Sequence, residues 1–186
     1  YNKIIFTLLA STLLANVDEY VAQIDESIAN GKYQHAAMVF DKSLLEYDSS
    51  AELYYVGAQI SIKMDDLDQA NKHFLKAIEL DPKNEEYRNY QKKLAELKDA
   101  LTSARKTFDS GDIDYAIIEH EKIISTFSSH AIVYYNLGRI YKVNQEYDSA
   151  VLNYSKAREL NLGLDLKGGM NVTLEVMVID VVKALS

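Results

Sequence analysis

Four histidines are the first candidates for chemistry in this sequence, and none stands where a catalytic or metal site would need it. His35, His73, His120 and His130 never pair with one another at the short spacings that zinc ligands require. Cysteine is absent, which excludes disulfides, thiolate nucleophiles and cysteine-ligated metal clusters. The carboxylate pairs Asp65-Asp66 and Glu85-Glu86 fall at turns and helix starts, where capping and the helix dipole favour negative charge. No phosphate-binding loop, nucleophile elbow or zincin motif occurs. The expectation is a protein that is not an enzyme, with no catalytic residue, cofactor or metal, and with histidines in packing or surface roles. What remains is recognition: Tyr55 and Tyr135 offer stacking area, and Arg105 and Arg139, 34 positions apart, suit a carboxylate or peptide carbonyls.

The elements that position these residues follow from an internal repeat. Ala36, Ala70, Ala116 and Ala150 each follow a turn-like string, Gly31 to His35, Asp65 to Gln69, Gly111 to Tyr115 and Gln145 to Ser149, and the spacings are 34, 46 and 34. A small residue is required where two antiparallel helices cross closely. Four residues later stand Phe40, Phe74, His120 and Tyr154, and three beyond those Ser43, Ala77, Ile123 and Ala157, positions that share one helix face. The preceding helices carry the complementary pattern, clearest in Tyr134, Leu137, Gly138 and Tyr141 and in Tyr54, Gly57, Ala58 and Ser61. Asp81-Pro82 stops a helix, because proline cannot donate and displaces its predecessor from helical geometry. The 46 is one repeat plus 12 residues, Glu85 to Glu96. Through them Tyr87, Tyr90, Leu94, Leu97, Leu101, Ala104 and Phe108 continue in steps of three and four, which predicts one long helix over 85–109. Its first three turns either project and pair with a partner or second copy, giving self-association through 85–97, or pack within the same molecule.

On these residues the sequence resembles the tetratricopeptide repeat (TPR) family, with units at 17–50, 51–84, 97–130 and 131–161. The second and fourth match closely, and the first and third depart at Ile24, Ala104 and His120. The resemblance implies an all-α fold over 17–161, a superhelix of about four helix-turn-helix repeats. It further implies a scaffold that binds a protein or peptide in a concave groove lined by the first helix of each unit. Helical geometry puts Glu52, Tyr55, Gln59 and Lys63, then Lys98, Leu101, Arg105 and Asp109, then Ile132, Tyr135, Arg139 and Val143 on that face. Asn136 stands at one position of the family's clamp on a terminal carboxylate, while Tyr55 and Tyr135 replace the lysines that the clamp uses. The expected peptide-binding residues are Tyr55, Gln59, Lys63, Leu101, Arg105, Tyr135, Asn136 and Arg139.

Both ends read differently. Residues 1–16 hold an apolar run, Ile4 to Leu14, behind Lys3 and ending at Ala15. This is either a secretory signal peptide, which would make the protein extracytoplasmic (periplasmic or secreted) rather than cytoplasmic, or a first apolar helix. At eleven residues the run is shorter than the roughly 20 that cross a bilayer. From Leu162 the alternation of apolar residues predicts a β-hairpin about Gly168-Gly169, then a short helix from Ile179. Leu162-Gly163-Leu164-Asp165-Leu166-Lys167-Gly168-Gly169 resembles the start of the first extracytoplasmic domain of the SecD export subunit. That implies a truncated or fused component of the Sec protein-export machinery whose repeats recruit clients, with translocon components as partners; the alternative is a hairpin that caps the stack.

Overall composition agrees with a helical scaffold. The 186 residues carry 20 basic and 28 acidic side chains, a net charge of −8, which argues against a nucleic-acid partner. With 48% hydrophobic residues, one proline and seven glycines, the chain can fill a core and favours helices over a sandwich or barrel.

Overall fold

The structure, a computed structural model, describes residues 2–160, with side chains from Asn16 onward. The hairpin and helix expected over 162–186 lie outside the described residues. Among the described residues eight helices are the regular elements: α1 (Asn2–Ala29), α2 (Tyr33–Leu44), α3 (Ala51–Lys63), α4 (Leu67–Leu80), α5 (Glu85–Asp109), α6 (Ile113–Phe127), α7 (Ala131–Val143) and α8 (Tyr147–Leu160). Each packs on the next, and α1 also packs on α3. The result is an all-α stack of helix-turn-helix units.

The turn inside each unit repeats one device. Gly31, Asp65, Gly111 and Gln145 all have positive φ, 69°, 55°, 88° and 63°, the left-handed residue that ends a helix. Behind three of them the backbone closes over five residues, from Lys32 to the Ser27 carbonyl (2.8 Å), from Asp66 to Ser61 (2.9 Å) and from Glu146 to Tyr141 (2.9 Å). In the second and third units the next helix then starts on a side-chain cap: Asp66 accepts from the Gln69 amide (2.9 Å) and Asp112 from the Tyr115 amide (3.2 Å). Ser50 and Asn84 do the same between units.

The small residues sit where the helices cross. Ala36, Ala70, Ala116 and Ala150 are all fully buried. The approach is close at Gly138, where an added Cβ would lie 2.7 Å from Cδ1 of the buried Tyr154 ring. At Gly57 it would lie 2.6 Å from Phe40. A side chain at either place would have to displace an aromatic ring from a packed core.

Helix α5 decides the arrangement of the halves. Its first three turns do not project: Tyr87 and Leu94 are buried, and Tyr87 stacks on Tyr55 of α3 at 4.8 Å between ring centroids. Gln91 donates to Asn71 (3.0 Å), and Lys98 pairs with Asp68, so α4 runs antiparallel along this stretch. Of the two arrangements open for the apolar seam, pairing with a partner or second copy through 85–97 and packing within the same molecule, the structure shows the second, and of the seam residues Tyr90 is the one left exposed. Beyond this point Leu97 and Ala104 pack with Ile123 of α6 and Val133 of α7.

At the other end α1 is continuous from Asn2 to Ala29. The helix therefore runs unbroken through the boundary at 16–17, where the sequence pattern separates a leader from the first repeat. Among the described residues no helix is long and apolar enough to cross a membrane.

Candidate functional site

Two clefts gather part of the residues that the repeat phase assigns to the groove. The first, of about 350 Å³, lies between α5 and α7 and is lined by Leu101, Thr102, Arg105, Phe108, Asp109, Ile132, Asn136, Arg139 and Ile140, with His120 of α6. Leu101, Arg105, Asn136 and Arg139, expected to share a face, meet here from two helices. They do so because α5 and α7 present i, i+4 stripes toward one another. The floor is apolar and the rim polar. The Arg105 Nε stands 3.7 Å from Asp109 Oδ2 one turn on, both side chains largely in solvent. Arg139 is exposed and makes no ion pair with another described residue.

The second cleft, of about 660 Å³, takes Gln59 and Lys63 of α3 together with Tyr90, Lys93, Leu94 and Glu96 of α5 and His130 ahead of α7. The α5 residues come from the 12-residue insertion, so the insertion builds one wall of it.

Tyr55 and Tyr135 are placed apart from these clefts. Tyr55 is half-buried, stacked on Tyr87 and set against Tyr90 (5.6 Å) and Phe74 (6.0 Å), with its hydroxyl donating to Glu86 (3.0 Å). Burial first, and then the Glu86 carboxylate, push its phenol well above the ordinary tyrosine range. Tyr135 leans on Tyr154 at 5.9 Å. Burial, followed by the neighbouring Tyr135, pushes the Tyr154 phenol up to about 12. Of the remaining face positions, Lys98 is held by Asp68 and Val143 is exposed. Sequence reasoning missed Thr102, Phe108 and Ile140, which flank the expected positions by one residue or one turn. It also missed Tyr90 and Lys93, whose place depends on how the insertion docks.

Three of the four histidines pack, and His35 is exposed with its Nδ1 2.9 Å from Ser27 Oγ. His120 is 2% exposed, and its Nδ1 donates to the Ala116 carbonyl at 2.9 Å. His73 lies against Phe40 at 5.0 Å and contacts Ser61 and Gln69, and His130 lies against Phe127 at 6.0 Å. No group of metal-ligating side chains occurs among the described residues. Burial holds all three rings below their ordinary value of 6.5. The unfolded chain therefore binds protons that the folded one refuses as pH drops below about 6.5, and folding is disfavoured there. Stability to urea should be flat from pH 8 to 7 and fall between 6.5 and 5, with a shallower fall in His120→Phe. A midpoint that does not move over that window would show that these rings charge freely in the folded protein.

A stack of helical hairpins with a cleft between two of its helices has the architecture of a protein-interaction scaffold. The comparisons name the repeat: residues 51–84 and 131–162 match the tetratricopeptide repeat family model, and the chain carries tetratricopeptide repeats there. Residues 157–176 match the SecD/SecF GG motif, beginning within the last turn of α8. Among solved structures the chain is similar to MamA at 18% identity, covering 90% of this chain and 87% of that one with a TM-score of 0.38. It is similar also to PilF of Pseudomonas aeruginosa at 15% identity, 90% and 68% coverage and TM-score 0.39. YrrB, described as a TPR protein with an unusual peptide-binding site, stands at 16% identity, 88% and 97% coverage and TM-score 0.39. No curated protein matches the sequence.

Proposed function

We propose that this chain is a non-catalytic scaffold that binds a peptide or protein segment in the cleft between α5 and α7. The observation that carries this reading is the convergence of Arg105, Asn136 and Arg139 over the apolar floor of Leu101, Ile132 and Ile140. Such a cleft suits a segment with an apolar side chain next to a carboxylate. The guanidiniums receive the charge with paired donors, Asn136 satisfies backbone groups, and the floor removes apolar area from water. Tyr55, Gln59 and Lys63 belong to the other half of the stack, where a longer ligand would continue.

The reading is tested by screening ten-residue peptides with free C-terminal carboxylates, against their amides and against acidic internal sequences, by fluorescence polarisation. Arg139→Glu should weaken the best binder by at least about tenfold, since it replaces a charge-assisted donor by a like charge facing the ligand. It should leave the melting temperature unchanged, because the side chain is exposed. Equal affinity for wild type and Arg139→Glu would remove this cleft from consideration.

The GG-motif match supports a second reading, in which the repeats form a recruitment module of a Sec-type export component. Sequencing the locus from one intact DNA molecule tests it. A frame running from the repeats into further SecD-like domains and membrane helices favours the export reading, and separate loci reject it. An extracytoplasmic location is the companion proposal, checked by whether mature protein lacks residues 1–15.

A further inference from the structure

The opposite face of α5 carries a second groove. Arg105 and Leu101 face α7, whereas Ala100 and Ser103, about half a helical turn away, border a hollow of about 500 Å³ against α6. Along α6 it is edged by Tyr115 and Ile118, 53% and 57% exposed, and floored by Glu119 and Ile123. Two features say what it accommodates. First, the α5 edge is built of small residues and the α6 edge of apolar ones at one-turn spacing, the relief into which a third helix packs. Second, Glu119 is incompletely satisfied: Oε1 accepts from Ser103 at 3.3 Å, while Oε2 is buried without a hydrogen-bond partner. A carboxylate oxygen kept from water without a donor is costly, and the fitting partner brings a cation to it. Lys122, one turn further along the same groove, asks for the reverse charge at the next turn of the partner.

We propose that the groove between α5 and α6 docks an amphipathic helix of a partner protein, with an arginine or lysine of that helix reaching Glu119. From Tyr115 to Thr126 the groove is about 17 Å long at helical rise, matching a docked helix of roughly 11 to 14 residues. This surface is separate from the cleft between α5 and α7, so a scaffold engaging both would hold two partners across one helix.

The test is selection of a displayed library of amphipathic 14-residue helices on the full chain, repeated on Glu119→Gln, Ile118→Asp and Arg139→Glu. The expected result is enrichment of a basic residue at one fixed position of the retained helices. The selected helices should bind Glu119→Gln about tenfold or more weakly, the loss of a charge-assisted pair. They should fail on Ile118→Asp and bind Arg139→Glu as wild type, which keeps this result independent of the peptide cleft. If Ile118→Asp does not fold, Tyr115→Glu serves in its place. The proposal is overturned if no helix is retained, if retained helices carry no basic preference, or if binding survives the groove variants. It is overturned equally if sedimentation shows a dimer that Ile118→Asp disperses, since the occupant would then be a second copy.

Discussion

Truncating Phe74 to alanine should lower the free energy of unfolding by about 3 to 5 kcal/mol, the range for removing a large aromatic side chain from a packed core. Phe74 is fully buried beside Ala58, Ala70 and Leu94. Its ring lies 6.0 Å from Tyr55 and is stacked at 6.2 Å on Tyr90. Three helices therefore lean on one side chain: α3 through Tyr55, α4 which carries it, and α5 through Tyr90 and Leu94. The site cannot collapse easily, because Ala58 and Ala70 have no length with which to fill the void. Urea denaturation monitored by circular dichroism measures the effect. A loss below about 0.5 kcal/mol, the scale of a surface substitution, would mean that this cluster does not hold α5 to the first half.

Enlarging the crossing point should also destabilise. Ala150→Leu places three heavy atoms where α7 and α8 touch, next to Tyr154 and Ala157, all fully buried. The neighbouring Gly138 already lacks room for a single carbon. Overpacking of this kind costs about 1 to 3 kcal/mol, which for a chain of this size lowers the melting temperature by roughly 2 to 4 °C per kcal/mol. Ala70→Leu, at the same place in the second unit, should behave alike. An unchanged melting curve for both would show that the repeat phase is misassigned.

The spacing of the alanines was the most legible part of the fold, because a crossing of two backbones tolerates few side chains and so leaves a periodic mark. The turn strings were legible for the same kind of reason, since Gly31, Asp65, Gly111 and Gln145 hold the one left-handed residue each hairpin needs. The long seam told which face of α5 is apolar but not what lies against it. Periodicity specifies a direction around a helix, whereas the neighbour depends on how far α6 slides along α5. That is why Tyr90 and Lys93 were missed as cleft residues. It is also why Tyr55, placed on the groove face by counting, is engaged with Tyr87, Tyr90 and Glu86: the insertion brings those three to it. The convergence of Leu101, Arg105, Asn136 and Arg139 needed only the phase of two helices in neighbouring units, and so could be read in advance. His120 was visible at an aromatic position, but its bond to the Ala116 carbonyl could not be counted from spacing.

Helix α5 belongs to two partnerships at once, its Tyr87 and Leu94 with α3 and α4 and its Leu97 and Ala104 with α6 and α7. Arrays of repeats generally melt piecemeal, each unit coupled only to its neighbours. Here the junction between the halves is an uninterrupted backbone ladder instead of a loop, and opening it midway forfeits hydrogen bonds and burial on both sides. The two halves are thereby bound into a common folding unit, and neither can loosen without drawing on the stability of the other.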